Sequence, residues 1–584
     1  MKKLRLSCLL TGHSLLLCAT LFACSVVAVT PAAGYDILIR GGTIYDGGGG
    51  KPFVGDVAIT QDKIDYVGPR ATGEAKQMID ARGKAVSPGF INMLAHPEET
   101  LLIDGRALSD LKQGVTLEVM GEDSMGPLTP AMRVRMQQRQ GDIKYDVDWT
   151  TLDGYLAALE KRGIAPNVAS FVGAGTVRTN VLGENDVAPT PAQLAQMKAL
   201  VKAAMEQGAL GVTTALIYAP STYAKTDELI ALAAESARCG GIYSVHMRSE
   251  GDNIEAALDE TIGIAKASGA PAEIYHLKLG GRRNWAKLDN VIKTIEAARA
   301  GGVRIAANMY NYTAGATGFD AAMPPWVQDG GLEAWIARLK DPVIRARVLA
   351  EMRESRPDWE NLYGHAGAEG TLLLQFKNDQ LKPLTGKTLA AVARERGLSP
   401  EDTIIDLVIE DGSRVGVAYF LMSEENVKRQ IALPWISFGS DEGGYAPEGV
   451  FMHSNPHPRA YGNFARLLGR YVRDEKLLTL AQAVYKLSGL AADHLSITDR
   501  GRLKPGYFAD VVVFDAASIS DHATFEKPHQ LASGVEQVFV NGIHALKDGA
   551  ATRLPSGRIV RGRAWTGANG GGCRASSRAW RWLP

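Results

Sequence analysis

Two patterns of apolar positions divide the chain. Near each end the pattern is short and alternating. Residues 36–45 follow Tyr35 with a run from Asp36 through Ile37, Leu38 and Ile39 to Thr43 and Ile44, then a Gly-rich turn, and Val54 to Val67 adds further short runs. The same style returns in Ala509–Asp515 and in Val535–Val540, where Asn541-Gly542 is a hairpin signal. The simplest reading is one small β-domain, a sandwich built from residues 35–85 and 502–562. Between these flanks short apolar runs alternate with amphipathic helical stretches. The candidate strands are Val86–Leu94, Val115–Met120, Asn167–Gly173, Leu210–Leu216, Ile242–Met247, Ala272–Leu277, Arg304–Tyr310 and Trp435–Asp441. The helical stretches include Pro191–Gln207, Thr226–Cys239, Asn253–Ser268 and Lys287–Ala300. Eight such units predict an α/β fold, a closed (β/α)8 TIM-like barrel over 86–501. Residues of about 318–430 read as a helical insertion before the eighth strand.

Both ends carry separate segments. Lys2, Lys3 and Arg5 precede an apolar stretch from Leu6 to Val29. A charged start before an apolar run is the pattern of a secretory signal, so 1–33 is expected to be a signal peptide and the protein to be exported, to the periplasm or envelope. Leu21-Phe22-Ala23-Cys24 fits a lipoprotein cleavage box, which would leave a lipid on Cys24, and Thr30-Pro31-Ala32-Ala33 fits plain small-residue cleavage. Both remain open. The tail, 563–584, is aperiodic and is expected to be disordered. Of the five cysteines only Cys239 and Cys573 lie outside the leader, too few for a disulfide framework.

Composition narrows the partners. Lys+Arg and Asp+Glu are equal at 64 each, which argues against nucleic acid or an anionic membrane surface as partner. The membrane enters only through the leader or a lipid on Cys24. A small molecule remains the expected partner.

In a barrel, chemistry sits where strands end at their C-terminal side. His246 and His276 end the fifth and sixth candidate strands, and Asp441 ends the eighth. Glu122 follows the second strand and His96 the first. Two imidazoles with carboxylates form the donor set that zinc favours for catalysis. His246, His276 and Glu122 are therefore the leading metal ligands, His96 is a further candidate, and Asp441 is the candidate catalytic base. Lys278 and Arg248 offer cations near the same mouth for a substrate carboxylate; the alternative for each is an ion pair with Glu250 or a solvated rim.

Longer stretches carry a resemblance. They are Tyr35–Gly48, Pro88-Gly89-Phe90-Ile91, Gly114-Val115-Thr116, His246-Met247-Arg248-Ser249-Glu250-Gly251, His276-Leu277-Lys278 and Tyr310-Asn311-Tyr312-Thr313-Ala314. They continue with Gly439-Ser440-Asp441, His457-Pro458-Arg459-Ala460-Tyr461-Gly462 and Gly506-Tyr507-Phe508-Ala509-Asp510. Over 35–562 the chain resembles the metal-dependent amidohydrolase superfamily and, within it, the N-acyl-D-amino-acid deacylase (D-aminoacylase) family. The resemblance implies a zinc-bearing barrel with a β-sandwich and hydrolysis of an N-acyl-D-amino acid to a D-amino acid and a carboxylate. It implies His246 and His276 as zinc ligands, Asp441 as the catalytic aspartate, and Lys278 and Tyr310 at the substrate carboxylate.

Two positions depart from that pattern. Leu94 stands where the first His of a His-x-His is expected, and Gly121-Glu122-Asp123-Ser124 stands where the family carries a Cys. Glu122 then replaces the thiolate, and one zinc per chain is expected. Related amidohydrolases acting on dipeptides or cyclic amides use the same metal chemistry and stay as the alternative. A catalytically inactive exported binding protein on the same scaffold is a second.

Overall fold

The computed structural model describes residues 34–354, 356, 358–567, 572 and 573. The expected leader at 1–33 and most of the expected disordered tail at 563–584 lie outside the described residues.

Strands from both ends of the chain join in one nine-stranded sheet. Its order runs Ala550–Ala551, Ile543–Lys547, Val535–Val540, Val511–Phe514, Ala85–Pro88, Tyr35–Ile44, Phe53–Thr60 and Lys63–Gly68, with Ala75–Asp80 paired to Tyr35–Ile44. The sheet curls over itself. Ile37, Ile39, Val57, Ile59 and Val86 pack with Val511, Val513 and Phe539 in one buried cluster. Lys63 even pairs across to Phe508. Alternation along each strand sends one side chain in two to this core.

The barrel has eight parallel strands: Phe90–Asn92, Val115–Met120, Asn167–Gly173 with a break at Phe171, Gly211–Ala215, Ile242–His246, Ala272–Ile274, Ile305–Met309 and Ile436–Phe438. It closes where the Met93 N–H donates to the Phe438 carbonyl (3.1 Å). The strands are buried on both faces, which is why they read as continuous apolar runs. The helices lean on them through spaced apolar positions. Leu229, Leu232 and Ala233 of Thr226–Arg238 are buried, for example. Thr190 and Gln193 form a reciprocal cap that starts the helix Pro191–Glu206.

Three expectations need correction. The run 86–94 is two strands. It breaks at Gly89, where a Cβ would lie 1.9 Å from Thr116 Oγ1, and the chain passes there from the terminal sheet into the barrel. The insertion is not wholly helical. Gly416–Phe420 pairs on one side with Ala314–Gly318 and on the other with Thr371–Gln375 in a three-stranded sheet. These strands are too short for alternation to separate them from helix by pattern.

The third correction concerns the tail. Residues 556–562, expected in the sandwich, leave the sheet and with 563–566 of the expected tail form a strap across the opening ends of the third and fourth barrel strands. Val560 N–H donates to Val168 O (2.8 Å), Gly562 N–H to Gly208 O (2.9 Å) and Thr566 N–H to Glu206 O (3.0 Å). Beyond it Cys573 forms a disulfide with Cys239. The two cysteines are thus a single clasp rather than a framework.

Candidate metal centre and catalytic cavity

The strand ends meet in a cavity of about 380 Å³ lined by His96, Glu122, His246, His276, Tyr310 and Asp441, among others. Two of these residues sit in left-handed backbone, His276 at φ +35° and Asp441 at φ +54°. Such conformations are costly for residues with a Cβ and persist where neighbours fix them. Asn308 Oδ1 accepts the His276 N–H (2.9 Å), and Leu94 O accepts the Asp441 N–H (2.8 Å).

Glu122 is the centre of the cluster. Its Oε1 faces His246 Nδ1 at 3.1 Å and His276 Nε2 at 3.3 Å. Its Oε2 faces His96 Nε2 at 3.3 Å, and that same nitrogen is 3.0 Å from Asp441 Oδ1. Two donor sets result: Glu122, His246 and His276, and His96, Glu122 and Asp441. They fit a metal by spacing. Ligand atoms about 2.0 Å from a tetrahedral zinc lie about 3.3 Å from one another.

Charge points the same way. Burial opposes ionisation of Glu122, yet His246 and His276 hold its carboxyl well below the usual range. Burial and Lys278 both oppose charge on His276, but Glu250, Asp441 and Glu122 raise it to about 9. Desolvation opposes charge on the half-buried His96, which is nonetheless raised well above its ordinary value by Asp441 and Glu122. The site asks for positive charge at its middle, which a divalent ion satisfies while leaving the imidazoles neutral.

A second tier of residues holds this set. Glu250 Oε1 lies 2.9 Å from His276 Nδ1, and Oε2 lies 3.5 Å from His246 Nε2. The carboxylate thus backs His276, the arrangement that fixes a metal-binding histidine, while the buried His246 Nε2 has no hydrogen-bond partner among the described residues. Arg459 Nη2 lies 2.9 Å from Asp441 Oδ2 and donates to the Asp441 carbonyl at 2.7 Å. The guanidinium also stacks on Tyr310, 4.3 Å from the ring centre. Sequence reading gave neither residue a role of its own. Glu250 entered only as an ion-pair partner, and Arg459 only within a resembling block.

The cation candidates divide. Lys278 lines the cavity, but its Nζ is 2.6 Å from Glu250 and 2.7 Å from His276 Nδ1. Arg248 does not join the cavity. It pairs with Glu260 (2.9 Å) and donates to the carbonyls of Thr222 and Ala224. The strand ends at His246, so the alternation that would keep Arg248 on the same face is lost. Tyr310 lines the cavity, and its buried hydroxyl has no hydrogen-bond partner among the described residues. Asp123 accepts the Gly175 N–H at the start of the helix Ala174–Leu182 and a bond from Ser221, so its carboxylate is spent on structure.

Comparison with known proteins agrees with this geometry. An amidohydrolase family model matches residues 77–543. The chain is 32% identical over 531 residues to a D-aminoacylase of Alcaligenes xylosoxydans xylosoxydans, covering 90% of this chain and 97% of that one. A solved D-aminoacylase, described for a binuclear metal center with one-metal activation and second-metal attenuation, superposes with a TM-score of 0.75 at 32% identity, over 90% of this chain and 99% of that one. The N-acyl-D-glutamate deacylase of Bordetella bronchiseptica, solved with zinc and a phosphonate mimic of the tetrahedral intermediate, gives 0.72 at 28% identity over 90% of this chain and 100% of that one.

Proposed function

Because the chain belongs to the amidohydrolase family, we propose that it hydrolyses the amide bond of N-acyl-D-amino acids, with zinc as its metal. The observation that carries the reading is the convergence of Glu122, His246 and His276 beside Asp441 in one cavity. Relatives 32% identical over nine-tenths of the chain carry deacylase activities in their names, which supports this substrate class over cyclic amides or dipeptides.

The residues divide the work. Glu122, His246 and His276 would hold a first zinc, with His96 and Asp441 facing the other Glu122 oxygen. Zinc there supplies Lewis acidity, polarising a carbonyl and acidifying water. Asp441 is ionised, since Arg459 lowers its pKa against the effect of burial. It takes the proton of the attacking water as the new C–O bond forms. It then returns that proton to the nitrogen as the C–N bond breaks, leaving a free amine and a carboxylic acid that loses its remaining proton to solvent. Tyr310, with its unpaired hydroxyl, is placed to receive the substrate carboxylate, and Lys278 borders the same cavity while paired with Glu250.

One tightly held zinc per chain follows from Leu94, which offers no donor to the His96 side. Export follows from the leader and is supported by the Cys239–Cys573 disulfide, since such bonds persist in oxidising compartments. Mass spectrometry of protein from fractionated cells tests it. An envelope species starting at lipidated Cys24, or after Ala33, is expected, and a cytoplasmic species with its leader intact would sink the export reading.

The deciding assay measures metal content together with amine release from N-acetyl-D- and N-acetyl-L-amino acids, with and without chelator. Chelator-sensitive, D-selective release is expected. A metal-loaded protein inactive on both series would overturn the substrate class.

A further inference from the structure

Glu250 backs His276 at 2.9 Å, so whatever fixes Glu250 bears on that metal histidine. The Glu250 backbone is held from outside the barrel. Glu360, on the insertion, accepts the Glu250 N–H at 3.2 Å and a hydrogen bond from the Ser249 hydroxyl. Ser249 Oγ in turn accepts the N–H groups of Gly251 (3.2 Å) and Asn253 (3.1 Å). The Glu250 carbonyl accepts the Gly280 N–H (2.7 Å), which ties this loop to the one carrying Lys278.

The contact leaves little room to drift. A Cβ on Gly251 would lie 2.8 Å from Glu360 Oε1 and 2.4 Å from His365 Nε2, and one on Gly281 would lie 2.5 Å from His365 Nδ1. Both loops that bracket Glu250 thus press bare backbone against His365, and the first of them also against Glu360. The Glu360 side chain is 2% exposed. A buried carboxylate is costly unless its hydrogen bonds are made, so this placement asks for a reason beyond surface packing. The same segment reaches the cavity, since Leu362 lines it.

We infer that Glu360 is a positioning residue for the metal centre, transmitting the seat of the insertion through Ser249 and Glu250 to His276. This rests on the proposed metal site, though not on the identity of the substrate. Groups that hydrogen-bond a metal ligand directly typically change metal affinity about 10- to 100-fold, and Glu360, one contact further out, is expected at the lower end of that range.

The test is zinc affinity by chelator competition, together with the visible spectrum of the cobalt-loaded protein, on folded Glu360→Ala and Glu360→Gln. Glu401→Gln is the control. It loosens the same insertion at Tyr363 and Arg353 without touching the Ser249–Gly251 loop. A loss of about 10-fold or more is expected for Glu360→Ala, with an altered cobalt spectrum, a smaller loss for Glu360→Gln and none for Glu401→Gln. Should Glu360→Ala fail to fold, several-fold weaker binding by Glu360→Gln supports the inference, and unchanged binding overturns it. Zinc binding within twofold of the parent in Glu360→Ala, or an equal loss in Glu401→Gln, also overturns it. A parent protein that binds no zinc would instead overturn the metal site itself.

Discussion

Asp441 and Arg459 form a buried pair, with Oδ2 of one 2.9 Å from Nη2 of the other. Burial alone would raise the aspartate; the guanidinium brings it below its ordinary value. A base must be ionised to accept a proton, so Arg459 sets how far into acid the enzyme works. Replacing it by Met lifts the Asp441 pKa. The acidic limb of the pH profile of kcat/KM then moves to higher pH, by about 1–3 pH units for the loss of a close opposite charge. An unmoved acidic limb in a folded, metal-loaded Arg459→Met would remove Arg459 from this role.

Metal binding and proton transfer are separable. His276→Ala removes one donor of the Glu122, His246 and His276 set, and zinc and activity are expected to fall together. Asp441→Asn keeps the shape and loses the base. Zinc should stay while kcat drops by about 10²–10⁴-fold. The check is metal analysis after dialysis beside single-substrate kinetics. Full turnover in either variant contradicts the assignment.

Much of this site was legible because barrel geometry converts strand ends into neighbours. His246, His276 and Asp441 lie far apart in sequence, yet each is placed at one rim by the length of its strand. Glu250 and Arg459 were harder. Each acts by turning back onto a residue on another strand or loop, and no periodicity encodes that turn. Arg248 shows the reverse failure, a residue beside a strand-end histidine whose side chain leaves with the loop. The clasp of Cys573 onto Cys239 joins segments 334 residues apart, a distance over which spacing carries no signal.

Leu94 is the position to use for metal count. It is buried, two residues before His96 on the chain that leaves the first barrel strand. His96, Glu122 and Asp441 already face one another there. Leu94→His adds a neutral donor to that side with little change in volume. Zinc titration of the parent is expected to saturate at one tight equivalent, and the variant should approach two. A parent that retains two equivalents through dialysis would show that Glu122 and His96 suffice without a second histidine.

The strap offers a stability test that spares the chemistry, because it crosses the barrel face opposite the cavity. Gly557 N–H donates to Ile164 O (2.8 Å), and a Cβ at 557 would lie 1.8 Å from Pro166 O. Gly557→Ala must therefore lift the strap or displace the third strand. Cys573 closes the far end on Cys239. Cross-linking across so long a loop is worth up to about 5 kcal/mol in the chain-entropy account, so reductant or Cys573→Ser should lower Tm measurably. The expected pattern is a reduced Tm in Gly557→Ala and in Cys573→Ser, with kcat/KM at 25 °C within about twofold of the parent, since neither residue lines the cavity. Scanning calorimetry with and without reductant, beside the amide-hydrolysis assay, reads both quantities. If reductant leaves Tm unchanged, the clasp does not hold the strap. A matching loss of activity would mean that the strap reaches the rim through the barrel strands.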